Sequence, residues 1–247
     1  MADRPILFSA PMVNAILREI RTPGAGKTQT RRLLKIKGKP GFFQFGVSDT
    51  RGYDWAFRRK DHVWEDFRHD DLMKLLPVQS GDKLFVREHW KARSQMDGIA
   101  PRNMSKGEPV FYLADSMVRE LGCMMIKPGK HRQAMHMPRW ASRITLEVSE
   151  VRIERLQDIS AEDARDEGVN RTSQKVRQMW LFGASKEDRD RIYLRACKWE
   201  FQDLWDRING TPRKPEGPDI SWDANPWVMA ITFTPYFCNI DQMAKAA

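Results

Sequence analysis

Residues 15–32 read AILREIRTPGAGKTQTRR, and they join a helix pattern to a strand pattern through one glycine-rich turn. Apolar residues before the turn recur at the spacing of a helix that begins near Pro11: Met12, Val13, Ile16, Leu17 and Ile20. The Pro23-Gly24 pair ends that helix pattern. The residues after the turn are rich in strand-compatible side chains. The order helix, turn, strand is therefore the basis of the fold prediction.

The turn shares three residues with a phosphate-binding loop, because Gly26, Lys27 and Thr28 are consecutive. A phosphate loop also needs a glycine five positions before Gly26, where Arg21 stands. It should follow a buried strand and open a helix, whereas here a helix precedes the turn and extended chain follows. We therefore expect Lys27 and the threonines near it to serve another chemistry.

Three further segments show strand patterns. Residues 80–90 (SGDKLFVREHW) are a turn followed by alternating apolar and charged residues, and residues 142–156 alternate over a longer stretch. The last strand is predicted within residues 225–236 (NPWVMAITFTPY). Its apolar side chains fall on one face: Trp227, Met229, Ile231 and Phe233.

Two helices are predicted in the second half of the chain. The shorter one follows Ser160, which with Asp163 resembles a capping box; it carries acidic residues as far as Glu167, and Gly168 is its stop. The longer helix spans about residues 186–208. Its predicted apolar stripe consists of Ile192, Ala196, Trp199, Leu204, Trp205 and Ile208.

The segments at about 38–76 and 92–137 show no single period, and we interpret them as insertions with short strands. Strands separated by turns, with helices at their sides, predict an α+β fold built on a small mixed β-barrel. We expect residues 1–247 to form one domain with two insertions, because this length suits a single large domain.

Composition excludes several classes of protein. Nine tryptophans and twelve phenylalanines argue against a disordered chain. The apolar runs are far shorter than the roughly 18 residues that span a bilayer. The N-terminus has no signal-peptide pattern, and the cysteines (Cys123, Cys197 and Cys238) are widely spaced and odd in number. We therefore expect a cytoplasmic protein without a membrane anchor.

The five histidines include no H-x-x-x-H pair, and the cysteines form no C-x-x-C pair. We therefore predict neither a metal nor another cofactor. The net charge is +9, and residues 1–40 hold nine Lys and Arg against Asp3 and Glu19, which leaves +7 there. This basic segment suits phosphate-bearing or otherwise anionic partners, but it is equally compatible with a solvated surface.

The order of these blocks resembles the ASCH superfamily. Its members are PUA-like β-barrels marked by a helix, a glycine-lysine-threonine turn and a T-x-R strand. The matching blocks are AILREIRTPGAGKTQTRR, GDKLFVREHW, a long strand, ISAEDARDEG and WVMAITF, which together make up about half of the chain. The two insertions and the long helix lie outside the resemblance. This longer form is similar to ASCH proteins of phage-type genomes.

Within that superfamily, small bacterial N4-acetylcytidine amidohydrolases carry a G-x-K-T-x-T-x-R turn. The resemblance implies that the catalytic lysine and threonine are Lys27 and Thr30, and that the catalytic glutamate is Glu167. It places the arginine of the motif at Arg32. The chain departs from the pattern at residues 22–25, which lengthen the link between the helix and the turn.

The chemistry implied by the resemblance requires attack on an amide carbonyl and departure of the exocyclic amine. The Thr30 hydroxyl needs a base, and Lys27 can be that base only when neutral. Burial, or nearby Arg31 and Arg32, would lower its pKa, whereas a close Glu167 carboxylate would raise it. The roles are compatible only if Glu167 lies nearer the substrate than the lysine. We therefore predict that Lys27 activates Thr30 or a water that it orients, and that Glu167 passes a proton to the leaving N4.

Each of these residues also has a purely structural interpretation, as an exposed turn lysine, a strand threonine and a solvated helix-end glutamate. Glu88 is a competing carboxylate in a predicted strand. A cytosine ring would need an aromatic platform, for which Phe8, Trp90 and Trp140 are the candidates. Arg32 is the candidate for contact with a pyrimidine carbonyl or a phosphate.

The predicted function is an amidohydrolase that removes acyl groups from N4 of cytidine or a related cytosine compound. Two alternatives remain open. The first is a module that binds RNA or modified nucleic acid, since a free nucleoside does not need the basic first 40 residues. The second is a ribonuclease, an activity known among ASCH relatives. The sequence leaves the acyl preference and the oligomeric state open.

Overall fold

A computed structural model describes residues 3–39, 44–169, 186–210 and 218–243 of the chain. These ranges form an α+β protein with a five-stranded sheet and two three-stranded sheets. The α+β class predicted from the sequence is confirmed. None of the helices in these ranges combines the length and the apolar character needed to span a membrane.

The strands are β1 (Asp3–Leu7), β2 (Gln29–Leu33), β3 (Gln44–Val47), β4 (Trp55–Arg58), β5 (Trp64–Phe67), β6 (Lys83–Arg87), β7 (Trp90–Lys91), β8 (Val110–Tyr112), β9 (Val118–Arg119), β10 (Thr145–Arg155) and β11 (Trp227–Tyr236). The helices are α1 (Ala10–Arg21), α2 (His69–Lys74), α3 (Ala161–Asp166), α4 (Lys186–Asn209) and α5 (Ile240–Met243).

The central sheet has the strand order β1-β6-β10-β11-β2. β1 is parallel to β6, and the other three pairs are antiparallel. The long β10–β11 ladder shifts register between Val148 and Glu150. Within the described ranges the edge strands β1 and β2 do not pair with one another, so this sheet is not a closed barrel there.

The main core lies between the central sheet and α1. Val13, Ile16 and Leu17 of α1 are buried against apolar side chains of β11, which include Met229 and Ile231. Apolar residues recur along α1 at the predicted spacing of three and four positions. One face of the helix therefore packs against the sheet, while the opposite face remains in contact with solvent. The helix ends at Arg21, directly before the Thr22-Pro23-Gly24 turn.

The two insertions differ in how they are attached. The first forms the β3-β4-β5 sheet and α2, and its Phe45, Phe57 and Leu72 belong to the main core. The second forms the β7-β8-β9 sheet and has a hydrophobic cluster of its own around Trp90 and Tyr112. The first insertion thus contributes side chains to the main hydrophobic core, whereas the second has a separate hydrophobic cluster.

Helix α4 corrects one prediction. Its buried stripe runs through every fourth residue: Tyr193, Cys197, Phe201 and Trp205. Trp199, predicted to lie on the buried stripe, is 53% exposed, and Ile208 is 47% exposed. The stripe is shifted because α4 packs on α3 and on the segment before β11, where Ala164 and Trp222 complete the same cluster.

Candidate active site

The turn that precedes β2 is fixed between two helices. The Lys27 backbone amide donates to the Ala15 carbonyl of α1 at 3.1 Å, and the Thr28 amide donates to the Asp166 carbonyl of α3 at 2.9 Å. The Glu19 carboxylate accepts from the amides of Gly24 and Gly26 at 2.8 and 2.7 Å. The longer link found in this sequence is therefore a hydrogen-bonded loop on α1, and its end is held in a defined position.

Two glycines let the chain pass close to Lys27. A Cβ at Gly26 would lie 2.3 Å from the Ala15 carbonyl oxygen and from the Glu19 amide nitrogen. Gly168 has φ +83, and a Cβ there would lie 2.7 Å from Cβ of Lys27. Only glycine fits both contacts, so the turn and the end of α3 can enclose the Lys27 side chain from two sides.

Lys27 and Glu167 form a buried ion pair. The Lys27 Nζ lies 2.5 Å from Oε2 of Glu167 and donates a second bond to the Glu167 backbone carbonyl at 2.8 Å. The side chains are 0% and 3% exposed. The two residues are 140 positions apart in sequence, and the structure brings them into direct contact.

The environment of the pair shifts the pKa of Lys27 downward from its ordinary value. Burial is the largest cause, because the ammonium loses its hydration. Glu167 opposes the shift, while Arg32 and Arg31 add to it through like-charge repulsion. At a given pH, a larger fraction of Lys27 is therefore uncharged than in an exposed lysine.

A cavity of about 690 Å³ lies beside the pair, along β2. Glu167 and Thr30 are on its wall, whereas the Lys27 side chain has no exposed surface. Glu167 therefore contributes to the cavity wall, and Lys27 is not among the residues that line it. Thr30 is 2% exposed, and its hydroxyl has no hydrogen-bond partner among the described residues.

Phe8 and Arg32 both lie beside the Lys27–Glu167 pair, but only Arg32 is among the residues that line the cavity, so the structure does not place the predicted Phe8 platform on its wall. The Phe8 ring centre is 5.8 Å from Nζ of Lys27 and 5.1 Å from Cζ of Arg32, and the ring is 3% exposed. Phe8 therefore packs against the two cations of the site. Arg32 donates to the Leu7 carbonyl at 2.7 Å, and burial lowers its pKa, against the effect of Glu167.

The other two aromatic candidates are located elsewhere. Trp90 is 0% exposed and belongs to the separate cluster of the second insertion, where Arg132 stacks on it at 5.6 Å. Trp140 packs against that cluster, and Arg119 lies 5.5 Å from its ring. The structure does not bring either tryptophan to the cavity wall.

Glu88 is likewise engaged away from the cavity. Its two carboxylate oxygens accept from Arg143 at 2.8 and 3.0 Å, and the residue is 1% exposed. Arg143 also binds Asp115 at 2.9 Å. Burial raises the pKa of the Glu88 carboxyl, and the bond from Arg143 opposes that rise. Glu88 is one side of a buried ion pair and does not line the cavity.

The aromatic wall of the cavity was not predicted from the sequence. Phe201 and Trp205 of α4 are among the residues that line it, and they are 3% and 5% exposed. The Trp205 indole donates to the Ile220 carbonyl at 2.8 Å, which fixes the ring. Their spacing of four residues on one helix face was the available signal, but that helix lies outside the family resemblance.

Within the described ranges no group of three or more His, Cys, Asp or Glu side chains could hold a metal ion. Searches of family models, curated proteins and solved structures find no match to this chain. What the site does must therefore be argued from its own geometry.

Proposed function

We propose that this protein is an amidohydrolase that removes acyl groups from N4 of cytidine or a related cytosine compound. The observation that carries the proposal is the buried Lys27–Glu167 pair, whose carboxylate lies on the wall of a cavity that Thr30 also lines. A base with a lowered pKa, a hydroxyl and a carboxylate at one cavity are the groups that amide hydrolysis needs.

The reaction begins when the Thr30 hydroxyl, or a water that it orients, attacks the acyl carbonyl carbon. The Lys27–Glu167 pair accepts the proton of the attacking group, with neutral Lys27 as its final carrier and Glu167 as the relay. The bond from carbonyl carbon to N4 then breaks, and Glu167 passes the proton to the departing nitrogen. If Thr30 attacked, its oxygen now carries the acyl group as an ester, and a water hydrolyses this ester, which releases the carboxylic acid and restores the Thr30 hydroxyl. If a water attacked, the acid leaves directly. Either route consumes one water and gives a carboxylic acid and the free amine of cytosine.

The cavity suits a nucleoside. Its volume of about 690 Å³ lies within the range of small-molecule sites. Its wall is mainly apolar, with Phe201 and Trp205 available for contact with a flat base. Arg32 supplies a cation on the same wall.

The proposal includes membership of the ASCH superfamily, with the central sheet as its PUA-like barrel. Two observations support it. The turn with Lys27 joins α1 to β2, and α3 lies between the long strands β10 and β11, in the order of the resemblance. The bond from Arg32 to the Leu7 carbonyl joins the two edge strands, so the sheet is strongly curled. The wide spacing and odd number of Cys123, Cys197 and Cys238 in the sequence support a cytoplasmic location as part of the proposal.

The experiment is hydrolysis of N4-acetylcytidine, followed by ultraviolet absorbance. We expect cytidine to appear, and we expect Lys27→Ala and Glu167→Ala to abolish the activity. Thr30→Val removes only the hydroxyl and should reduce kcat by roughly 10²-fold or more. Thr234→Val, on the exposed side of β11, is the matched control and should retain full activity. Failure of the protein to hydrolyse any N4-acylcytosine compound would overturn the proposal.

A second candidate function is binding of single-stranded nucleic acid. A second cavity of about 910 Å³ shares the lining residues Leu33, Lys35 and Ile220 with the first, so the two are neighbours. Its wall also carries Lys39, Arg155, Trp227 and the 52% exposed Trp64. Cations beside exposed aromatic rings are the features that hold a phosphate backbone and stack bases.

This candidate predicts an affinity for labelled single-stranded RNA that falls steeply with salt. Trp64→Ala should weaken the complex, whereas Trp199→Ala, with nearly the same exposure on α4, should not. A flat salt response or no gel shift would exclude this candidate. Degradation of the RNA during incubation would indicate ribonuclease activity, and intact RNA would argue against it.

A further inference from the structure

Arg31 is a buried arginine that contacts the candidate catalytic carboxylate of Glu167. Its side chain is 0% exposed, although it neighbours the partly buried Arg32 in an edge strand. Its Nη1 donates to Oε1 of Glu167 at 3.3 Å and to the Gln29 amide oxygen at 2.6 Å. The side chain has no solvent-exposed surface of its own, although residue 31 is among those that line the cavity.

The guanidinium is itself held by two further carboxylates. Its Nε donates to Glu154 of β10 at 2.8 Å, and its Nη2 donates to Asp163 of α3 at 3.0 Å. The Phe201 ring covers it at 5.8 Å. Because these carboxylates and the ring hold the planar guanidinium in one orientation, the direction of its hydrogen bond to Glu167 is fixed as well.

Glu167 thus divides its two oxygens between two cations. Oε2 binds Lys27 at 2.5 Å and Oε1 faces Arg31 at 3.3 Å. A carboxylate held at both oxygens cannot rotate away from the cavity. Arginine stays charged at every working pH, so this second cation persists when Lys27 loses its proton.

We propose that Arg31 is a positioning residue, which holds the orientation of the Glu167 carboxylate while the proton moves on and off Lys27. The inference deepens the proposed function and depends on it for its kinetic test. Arg31 lies between the threonine and the arginine of the T-x-R pattern, at the position where that pattern allows any residue.

The charged groups around the pair are few. Glu167, Arg31 and Arg32 act on Lys27, and Glu19 of α1 is engaged by the amides of the turn. Glu154 and Asp163 face Arg31 from β10 and α3. Removal of Arg31 takes away one of the two cations that repel the Lys27 ammonium, so the pKa of Lys27 should rise.

Arg152 provides a matched control. It binds the same Asp163 oxygen at 2.7 Å, but its side chain is 40% exposed and makes no bond to Glu167. A loss that arises from disturbance of Asp163 alone should therefore appear in Arg152→Met as well as in Arg31→Met. A loss that depends on the contact with Glu167 should appear only in Arg31→Met.

The experiment measures kcat and KM for N4-acetylcytidine across pH in Arg31→Met, Arg31→Lys and Arg152→Met. We expect Arg31→Met to lower kcat by roughly 10²-fold, with KM little changed, because the carboxylate is misplaced. The pH midpoint at which kcat rises should move upward. Arg31→Lys should restore the midpoint but only part of kcat, since it keeps the charge and loses the fork. Arg152→Met should match the original protein in both.

Carbon-13-labelled lysine gives a readout that needs no turnover, since NMR follows the titration of Lys27 directly. If the original protein does not hydrolyse N4-acylcytosine compounds, the proposed function fails, while a raised pKa of Lys27 in Arg31→Met still supports the contact argued here. Equal losses in Arg31→Met and Arg152→Met, or a lower kcat without any movement of the pH midpoint, would overturn the inference. Should Arg31→Met not fold, an unchanged kcat in Arg31→Lys overturns it equally.

Discussion

The protein contains two buried charge clusters that look alike and differ in access. In the Lys27 cluster (Lys27, Glu167 and Arg31), the carboxylate accepts from two cations and lies on a cavity wall. In the Arg143 cluster (Glu88, Asp115 and Arg143), one guanidinium binds two carboxylates. Glu88 does not line the cavity. Of these two clusters, the first contains a lysine and has a carboxylate residue that lines a cavity.

The comparison shows why buried charge alone is a poor sign of function. Moving charges out of water is costly, and a pair repays that cost only with good geometry. The Arg143 cluster meets this condition with bidentate bonds, and it links β6 to the segment before β10, so a structural role explains it. The Lys27 cluster has an additional property, since burial lowers the pKa of its lysine from the ordinary value.

The largest expected effect separates the two carboxylates by activity. Glu167→Gln keeps the size of the side chain and removes its ability to carry a proton, so kcat for N4-acetylcytidine should fall by roughly 10²–10⁴-fold. Glu88→Gln makes the same chemical change in the Arg143 cluster and should leave kcat of the folded protein unchanged. Comparable losses in the two variants would show that access to the cavity does not distinguish the clusters.

The second expected effect separates the clusters by stability. Arg143→Met leaves Glu88 and Asp115 without their shared partner, and we expect the free energy of unfolding to fall by about 3–5 kcal/mol. Lys27→Met leaves Glu167 in contact with Arg31, so the fall should be smaller, about 1–3 kcal/mol. Urea unfolding of both variants measures the difference. A larger loss in Lys27→Met would mean that the candidate active site is the main structural ion pair.

Local patterns were sufficient to predict most of the fold. The alternation in residues 142–156 and the apolar face of residues 225–236 correspond to β10 and β11. Ser160 accepts from the Asp163 amide at 3.0 Å, as the capping pattern predicted. The stripe of α4 was partly wrong, because which of its aromatic residues is buried depends on the partner that α4 packs against.

The site was only partly accessible from sequence. Lys27 and Glu167 are 140 positions apart, so only a family resemblance could pair them before the structure was known. No sequence pattern could predict the role of Arg31, because tertiary packing brings its partners from β10 and α3. Trp90 and Trp140 were plausible platforms by residue type alone, but the second insertion uses them in its separate cluster. Residue type does not specify which cavity a side chain faces.

The smallest expected effect is that the contributions of Lys27 and Glu88 to stability change with pH in opposite directions. The folded pKa of Lys27 lies below its unfolded value of about 10.4. At pH values between these two pKa values, the unfolded chain binds more protons than the folded protein. The contribution of Lys27 to stability is then complete above pH 10.4 and is lost as the pH falls through the folded pKa. The folded pKa of Glu88 lies above its unfolded value of about 4.3, so its contribution is complete below that pH and is lost as the pH rises.

Urea unfolding across pH can test these opposite signs, with Lys27→Met and Glu88→Gln as references. The free energy of unfolding of the original protein relative to Lys27→Met should increase as the pH rises toward about 10. Relative to Glu88→Gln it should decrease as the pH rises above about 4.3. Each shift of one pKa unit changes the difference by about 1.4 kcal/mol. If the difference relative to Lys27→Met stays flat up to that alkaline limit, the lysine is held as a permanent cation. It could then not serve as a base, and the contrast between the two clusters would reduce to access alone.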